Sequence, residues 1–446
     1  MKIHFIGIGG IGVSALAQYY LSKGHEVSGS DLVASEITDF LKNKGAKIKI
    51  GQEEDNIKQG IGLVIYSPAA NDNNPEYRKA KELNIKLQSY PEALGDLTKQ
   101  YFTIAVSGSH GKSTTTAMTA LVLAKAGLDP TVIVGTKIKE FNNLALNHAE
   151  GTNFRAGESK ILVIEADEHF ASFLNYWPKI IILTNIEKEH LDFYKNLNNI
   201  KKTYKKYLSH LKEDGILVAN KEDKNINKIV KKGNHETVFY SIKQKESKKL
   251  KRILKLPGKH NIYNALAVLA VARILGVSDK IIFDTLSKYR GSWRRFDLKQ
   301  GKAGSKKITV ISDYGHHPTE VLATLKAARE KYPKKKIWCV FQPHQYQRTY
   351  YLFNDFVKIF SRLAESRSAG RIDNIIITDI YDVAGREIKK IIAEVSSEKL
   401  VQKISKNNVK YIILRDLEKY IKENIKSGEV LIIMGAGDIY RLADKF

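Results

Sequence analysis

Apolar runs of four or five residues alternate with helical patterns along the whole chain. Runs of that length between turn residues read as strands buried on both faces, and their alternation with helices implies an α/β protein with mostly parallel sheets. Three blocks stand out. In the first, a strand over 3–6 meets Gly7, Gly9, Gly10 and Gly12 and enters a helix reaching Ser22. Strands over 26–29, 62–66 and 85–88 follow, with a helix over 75–83. The second block opens at Tyr101 with a strand over 102–106, a Gly-rich turn at 108–113 and a Thr/Ala-rich helix to Ala126. Its further strands fall at 161–164, 180–183 and 216–218, and a helix with an apolar face covers 262–275. Residues 221–252 are dense in Lys, Asn and Glu and read as a solvated excursion. The third block, from near Arg295, has strands over 308–311, 337–341, 375–377 and 430–434.

Composition narrows the classes. The 446 residues suffice for two to four domains. A net charge of +25 invites a nucleic-acid reading, but the lysines lie in short clusters (201–202, 205–206, 248–252, 334–336) and no nucleic-acid-binding signature accompanies them. The expectation is a Lys-rich surface, anionic small-molecule substrates and no nucleic-acid partner. Cys339 is the one cysteine, which excludes an internal disulfide and a thiolate metal cluster; inside the run 337–341 it reads as a small buried hydrophobe. The start of the chain enters a strand directly, without the apolar stretch of a signal peptide. No apolar run approaches the ~20 residues of a membrane span. A cytoplasmic protein without a membrane partner, monomer or homodimer, is expected.

Two glycine turns carry the chemistry. Gly7-Ile8-Gly9-Gly10-Ile11-Gly12 lies between a strand and a helix, and Asp31 ends the next strand. This is the dinucleotide-binding pattern in its proper context: glycines admit a pyrophosphate and the helix N-terminus supplies free N–H groups. Any nucleotide diphosphate satisfies it, a UDP-sugar as well as a nicotinamide dinucleotide. Gly108-Ser109-His110-Gly111-Lys112-Ser113 also joins a strand to a helix, with Thr114 next. Its N–H groups would cradle phosphate, Lys112 would neutralise terminal oxygens and Ser113 would ligate Mg²⁺. Two residues separate its glycines where the standard loop has four, so it is a variant.

Glu165-Ala166-Asp167-Glu168 ends the strand over 161–164, and His190 follows the strand over 180–183. Functional residues of parallel sheets gather at the carboxyl edge, so Glu165 and His190 are candidate metal ligands. His316-His317 invites a metal reading as well, but neighbouring side chains diverge on a strand; a substrate-contacting or hydrogen-bonded pair is expected.

Together these residues resemble the Mur ligases. The first glycine turn is similar to that family's UDP-sugar turn, 107–116 to its ATP loop, and 165–168 and 184–192 to its magnesium segments. Residues 257–265 resemble the segment that places Asn264 near adenine, and Arg294-Arg295-Phe296 the hinge with its arginine. The segments 313–320, 341–349, 378–381 and 435–439 continue the family's order. Ser109 and Ser113 stand where Thr is usual, His169-Phe170 for Ser-Asp, Gln345 for Arg and Gln347 for Ser, and Asp382-Val383 and Arg386 alter a further stretch.

The resemblance implies three domains: a Rossmann-like UDP-sugar domain (1–99), a central phosphate-loop ATPase domain (100–293) and a Rossmann-like C-terminal domain for the amino acid and closure (294–446). It implies ATP- and Mg²⁺-dependent ligation of L-alanine to UDP-N-acetylmuramate through an acyl phosphate. Gly108, Ser109, His110, Gly111, Lys112, Ser113, Thr114, Asn264, Arg295 and Asp313 would hold ATP. Ser113, Glu165 and His190 would hold metal. Gly9, Gly10, Ile11, Gly12, Asp31, Ser67, His316 and His317 would meet the substrates. His344 and Arg348 would face the amino-acid carboxylate or the developing charge. A ligase adding a preformed peptide is the nearest alternative. An NAD-dependent dehydrogenase leaves the lysine loop unexplained.

Overall fold

Each sequence block carries its own sheet in the computed structural model, which describes residues 1–141, 151–230, 235–365, 370–383 and 388–446. Arg386 lies outside the described residues. The first sheet contains β1 (Lys2–Ile6), β2 (Glu26–Asp31), β3 (Lys47–Ile50), β4 (Leu63–Tyr66) and β5 (Leu87–Ser89) in the order β3-β2-β1-β4-β5, all parallel. The chain reverses its winding between β1 and β4, the position where open α/β sheets bind ligands. The β3 strand and the helix Glu36–Asn43 are absent from the sequence reading, because this edge strand is largely exposed and has no apolar run. The helix Tyr90–Gln100 also escaped it; Ser89 and Glu92 close a capping box at its start.

The central sheet contains β6 (Phe102–Ser107), β7 (Thr131–Ile138), β8 (Thr152–Arg155), β9 (Ile161–Glu165), β10 (Ile180–Leu183), β11 (Ile216–Asn220) and β12 (Glu236–Tyr240). Their order is β12-β11-β10-β6-β9-β7-β8, with only β7–β8 antiparallel. Register sets Ser107 beside Leu183 and Val106 beside Glu165, so the ends of β10, β6 and β9 form one edge. The expected excursion over 221–252 is corrected: it contains the helices Lys224–Val230 and Glu246–Ile253, with β12 between them. Polar residues dominate there because β12 is an edge strand with most of its residues partly or fully exposed.

The third sheet contains β13 (Asp297–Ala303), β14 (Lys306–Asp313), β15 (Ile337–Phe341), β16 (Asn374–Ile377), β17 (Val409–Tyr411) and β18 (Val430–Met434) in the order β13-β14-β18-β15-β16-β17. An antiparallel hairpin, β13–β14, edges an otherwise parallel sheet. Its β15 is buried at every residue, Cys339 included, and burial pushes that thiol up, away from thiolate chemistry.

Contacts group the chain into two compact units. One comprises Met1–Glu187, Ile200–Ser247 and Tyr263–Ser287; the other comprises Lys188–Asn199, Lys248–Ile262 and Lys288–Phe446. No described helix is long and apolar enough to cross a membrane.

Candidate active site

In the first unit β6 delivers the phosphate turn. Gly108 and Gly111 have φ of +133° and +83°, and a Cβ would lie 2.0 Å from Thr184 Oγ1 at Gly108 and 2.6 Å from Asn264 Oδ1 at Gly111. Both positions therefore require glycine. The segment after β10 pins the turn. His110 N–H donates to Asn185 Oδ1 (2.9 Å), Thr184 Oγ1 donates to the His110 carbonyl (2.7 Å), and Glu187 N–H donates to Ser109 Oγ (2.9 Å). The helix Lys112–Lys125 then begins, and Thr115 is its first residue to donate to a turn carbonyl, Gly111. Among the described residues, the N–H groups of Lys112, Ser113 and Thr114 find no acceptor in the turn, an arrangement that suits an anion.

Lys112 Nζ lies 2.8 Å from the Gly108 carbonyl, 2.8 Å from Glu168 Oε2 and 3.8 Å from Asp167 Oδ1. Burial opposes the Lys112 charge, but the carboxylates of Glu168, Asp167 and Glu165 outweigh it and hold the ammonium protonated. Burial raises the Glu168 carboxyl against the pull of Lys112. Glu165, at the end of β9, accepts the Gly135 N–H at 2.9 Å, and Ser113 Oγ stands 3.0 Å from both its oxygens. A hydroxyl and a carboxylate side by side are the oxygen donors a hard divalent cation takes, so Ser113 and Glu165 fit Mg²⁺. Just beyond the acidic run, Phe170 and Ala171 sit at φ of +50° and +56°, in the left-handed region.

The N-terminal turn belongs to the same unit. Gly9 N–H donates to Asp31 Oδ2 (2.8 Å), and Gly10 N–H to the Gly7 carbonyl (3.2 Å). Asp31 thus closes the turn. The helix Ile11–Ser22 leaves its first N–H groups, on Ile11, Gly12 and Val13, without acceptors in the preceding turn. Ser67 flanks the site: a Cβ on Gly7 would meet its Cβ at 2.9 Å. A Cβ on Gly12 would lie 2.9 Å from Tyr90 Cζ. Burial raises the Tyr90 hydroxyl, and Glu165 and Asp167 raise it further.

The second unit centres on Arg348, in the helix Tyr346–Tyr351 that follows β15. Its Nε and Nη2 donate to Glu189 Oε1 at 3.0 and 2.9 Å, and its Nη1 faces His344 Nδ1 at 3.0 Å and Gln345 Oε1 at 3.2 Å. Both side chains are buried, 9% exposed for Arg348 and 6% for Glu189. Burial would raise the Glu189 carboxyl; Arg348, aided by His190, His317 and His316, holds it well below the ordinary range. His344 stacks on Tyr381 with ring centres 5.5 Å apart and an 8° tilt. Gln345 has φ +70°, and His190 caps the short helix Leu191–Tyr194 at φ +51°. Glu189, His190, Asp192, Gln345 and Arg348 line one cleft.

His316 and His317 do not converge on a metal. His317 caps the helix Pro318–Lys331: its Nδ1 accepts the Thr319 N–H (3.2 Å), which leaves Nε2 to donate to the Lys188 carbonyl (3.0 Å). His316 Nδ1 donates to the Tyr314 carbonyl (3.0 Å), and burial with Arg348 nearby pushes its pKa down to about 4. The Asp313 carboxylate accepts from Phe296 N–H (2.8 Å), Gly315 N–H (2.9 Å) and Thr324 Oγ1 (3.2 Å), which gives it a structural task ahead of any nucleotide contact. Arg295 lies over the Tyr314 ring at 4.8 Å and 3.8 Å from Glu320.

Known proteins match along this whole arrangement. The family described as "Mur ligase family, catalytic domain" matches residues 2–102, "Mur ligase middle domain" 106–272, and "Mur ligase, glutamate ligase domain" 294–437. The chain belongs to the Mur ligase family. A UDP-N-acetylmuramate–L-alanine ligase of Clostridium botulinum (strain Hall) is 41% identical, over 100% of this chain and 97% of the relative. Its counterpart from Caldanaerobacter subterraneus is 40% identical with the same coverage. The crystal structure of Thermotoga maritima UDP-N-acetylmuramate-alanine ligase MurC has a TM-score of 0.79 at 29% identity, covering 100% of this chain and 98% of that one. A Psychrobacter arcticus murein peptide ligase, at 22% identity and a TM-score of 0.71 over 100% and 98%, shares the fold.

In this Mur ligase, one unit gathers Gly108–Thr114, Glu165 and Asn264 around the phosphate turn, and the other sets His190 and Arg348 along the cleft, with His344 against Arg348. Sequence reasoning missed Tyr90, Glu168 as the partner of Lys112, and Glu189. Glu168 lay in the acidic run already singled out, and Glu189 precedes His190; neither residue type nor spacing revealed which cation each would meet.

Proposed function

We propose that this Mur ligase joins L-alanine to the carboxyl group of UDP-N-acetylmuramate, converting ATP to ADP and phosphate in cytoplasmic peptidoglycan synthesis. The full-length likeness to ligases of that name supports the substrates. The observation that carries the chemistry is the phosphate turn with Lys112 protonated in it and Ser113 beside Glu165. A carboxylate does not condense with an amine at neutral pH, because its oxygen leaves poorly. A carboxylate oxygen attacking the terminal phosphorus gives an acyl phosphate and ADP. The amine then attacks the acyl carbon, phosphate departs and the amine proton goes to solvent. Joining two anions needs fixed positive charge, which Lys112 and the free N–H groups of the turn supply. Ser113 and Glu165 would hold Mg²⁺, whose charge would further offset the phosphate oxygens.

The division of labour in this reading is UDP-sugar on 1–99, ATP on 100–293 and the amino acid on 294–446. The N–H groups of Ile11 and Gly12 would take the pyrophosphate, and Arg348 the amino-acid carboxylate. The test is ADP release with UDP-N-acetylmuramate and each of L-alanine, glycine, L-serine and a muropeptide-type tripeptide. Alanine-dependent release is expected; release with the tripeptide alone would transfer the chain to the peptide-adding ligases.

A further inference from the structure

Arg348 is left with little uncommitted. A guanidinium has five N–H donors. Nε–H and one Nη2–H go to Glu189 Oε1, and Nη1 faces His344 Nδ1, the His344 carbonyl and Gln345 Oε1. Among the described residues, none takes the second Nη2–H, which is available to a ligand. Glu189 is equally one-sided. Oε1 takes both Arg348 bonds and lies 3.4 Å from the His190 N–H, whereas Oε2 accepts no hydrogen bond from a described residue. His317 Nε2, 3.9 Å from Oε2, donates instead to the Lys188 carbonyl. Glu189 and Arg348 both line the cleft.

A buried cation whose charge is cancelled by an adjacent anion is a poor receptor for a simple carboxylate. It suits a zwitterion. A free amino acid brings a carboxylate and an ammonium about one residue's breadth apart, and burying either without a partner is costly. We propose that Glu189 is a substrate-binding residue: Oε1 keeps Arg348 oriented toward the amino-acid carboxylate, and Oε2 receives the ammonium group of the same molecule. This rests on the reading of Arg348 given above and adds the acceptor for the other end of the substrate. It also provides selectivity for amino acids over hydroxy acids, since a hydroxyl in place of the ammonium forfeits the charge-assisted bond.

The experiment compares L-alanine as substrate with L-lactate as competitive inhibitor, in wild type and Glu189→Gln. Lactate has the same carboxylate and methyl group with a hydroxyl for the ammonium. Glu189→Gln should raise the alanine KM roughly 30–100-fold, the usual worth of a buried charge-assisted hydrogen bond. The ATP and UDP-sugar KM values and the lactate Ki should stay within about twofold, because the Gln amide oxygen still accepts from Arg348. Glu189→Asp, which keeps the charge, should recover part of the loss. An alanine KM and lactate Ki that rise by one common factor would mean that Glu189 acts only through Arg348 and overturn the proposal. So would an unchanged alanine KM. A wild-type protein without alanine-dependent ADP release would instead remove the underlying reading.

Discussion

Lys112 Nζ and Glu168 Oε2 stand 2.8 Å apart with the carboxylate side chain 1% exposed, so the cation of the glycine turn at 108–113 is half of a buried ion pair. Lys112→Ala therefore does two things. It removes the charge that the proposed mechanism sets against the terminal phosphate, with an expected loss of at least about 10³-fold in kcat/KM. It also leaves Glu168 buried alone, at a cost of about 1–3 kcal/mol, limited because that carboxyl can take up a proton. A carboxyl raised above its unfolded pKa favours the folded state at low pH and loses that contribution as pH rises. Lys112→Ala should thus be less stable at pH 8 than at pH 6 in urea unfolding, and adding Glu168→Gln should restore stability without activity.

Gly108 combines φ +133° with a Cβ position 2.0 Å from Thr184 Oγ1. Gly108→Ala should cost about 3 kcal/mol or more and weaken nucleotide binding over tenfold. Gly127, at φ +79° with open space around it, is the control: Gly127→Ala should cost about 1 kcal/mol and leave nucleotide affinity alone. Thermal melting and nucleotide titration of the two variants check both.

Gly12 and Tyr90 form a tight contact between the N-terminal glycine turn and the helix Tyr90–Gln100. Gly12→Ala should raise the UDP-sugar KM about tenfold or more, because the new methyl group displaces the ring or the turn. Tyr90→Ala in that background should relieve the clash and recover part of the loss, which steady-state kinetics will measure.

Much of this was legible in the sequence because most buried parallel strands announce themselves; β7, buried at six of its eight residues but broken by Gly135 and Lys137, did not. β10, β15 and β18 are apolar at almost every position and were read at their observed bounds. The glycine turns were equally plain, since only glycine permits their φ values and close contacts. Edge elements were not: β3, β8, β12, β13 and β17 bury too little side chain to show a run. Single long-range pairings were also out of reach. Glu189 finds Arg348 across 159 residues, and Tyr90 meets Gly12 through tertiary packing that no local spacing encodes.

His316 gives the second unit a pH dependence. Its pKa of about 4 lies below the ordinary histidine value, so the unfolded chain binds the proton first. Its contribution is complete above about pH 6.5 and is lost as pH falls toward 4, up to about 3 kcal/mol. In His316→Asn the fall in stability between pH 6.5 and 4 should be shallower by that amount, as read from urea midpoints at each pH.

The most direct measurement follows an oxygen atom. UDP-N-acetylmuramate labelled with ¹⁸O in its carboxyl group is turned over with ATP and L-alanine, and the released phosphate is weighed by mass spectrometry. Transfer of the terminal phosphoryl group from the turn at Lys112 to the sugar's acid predicts one ¹⁸O in each phosphate, with ADP as the nucleotide product. Unlabelled phosphate, or AMP with pyrophosphate, would contradict it.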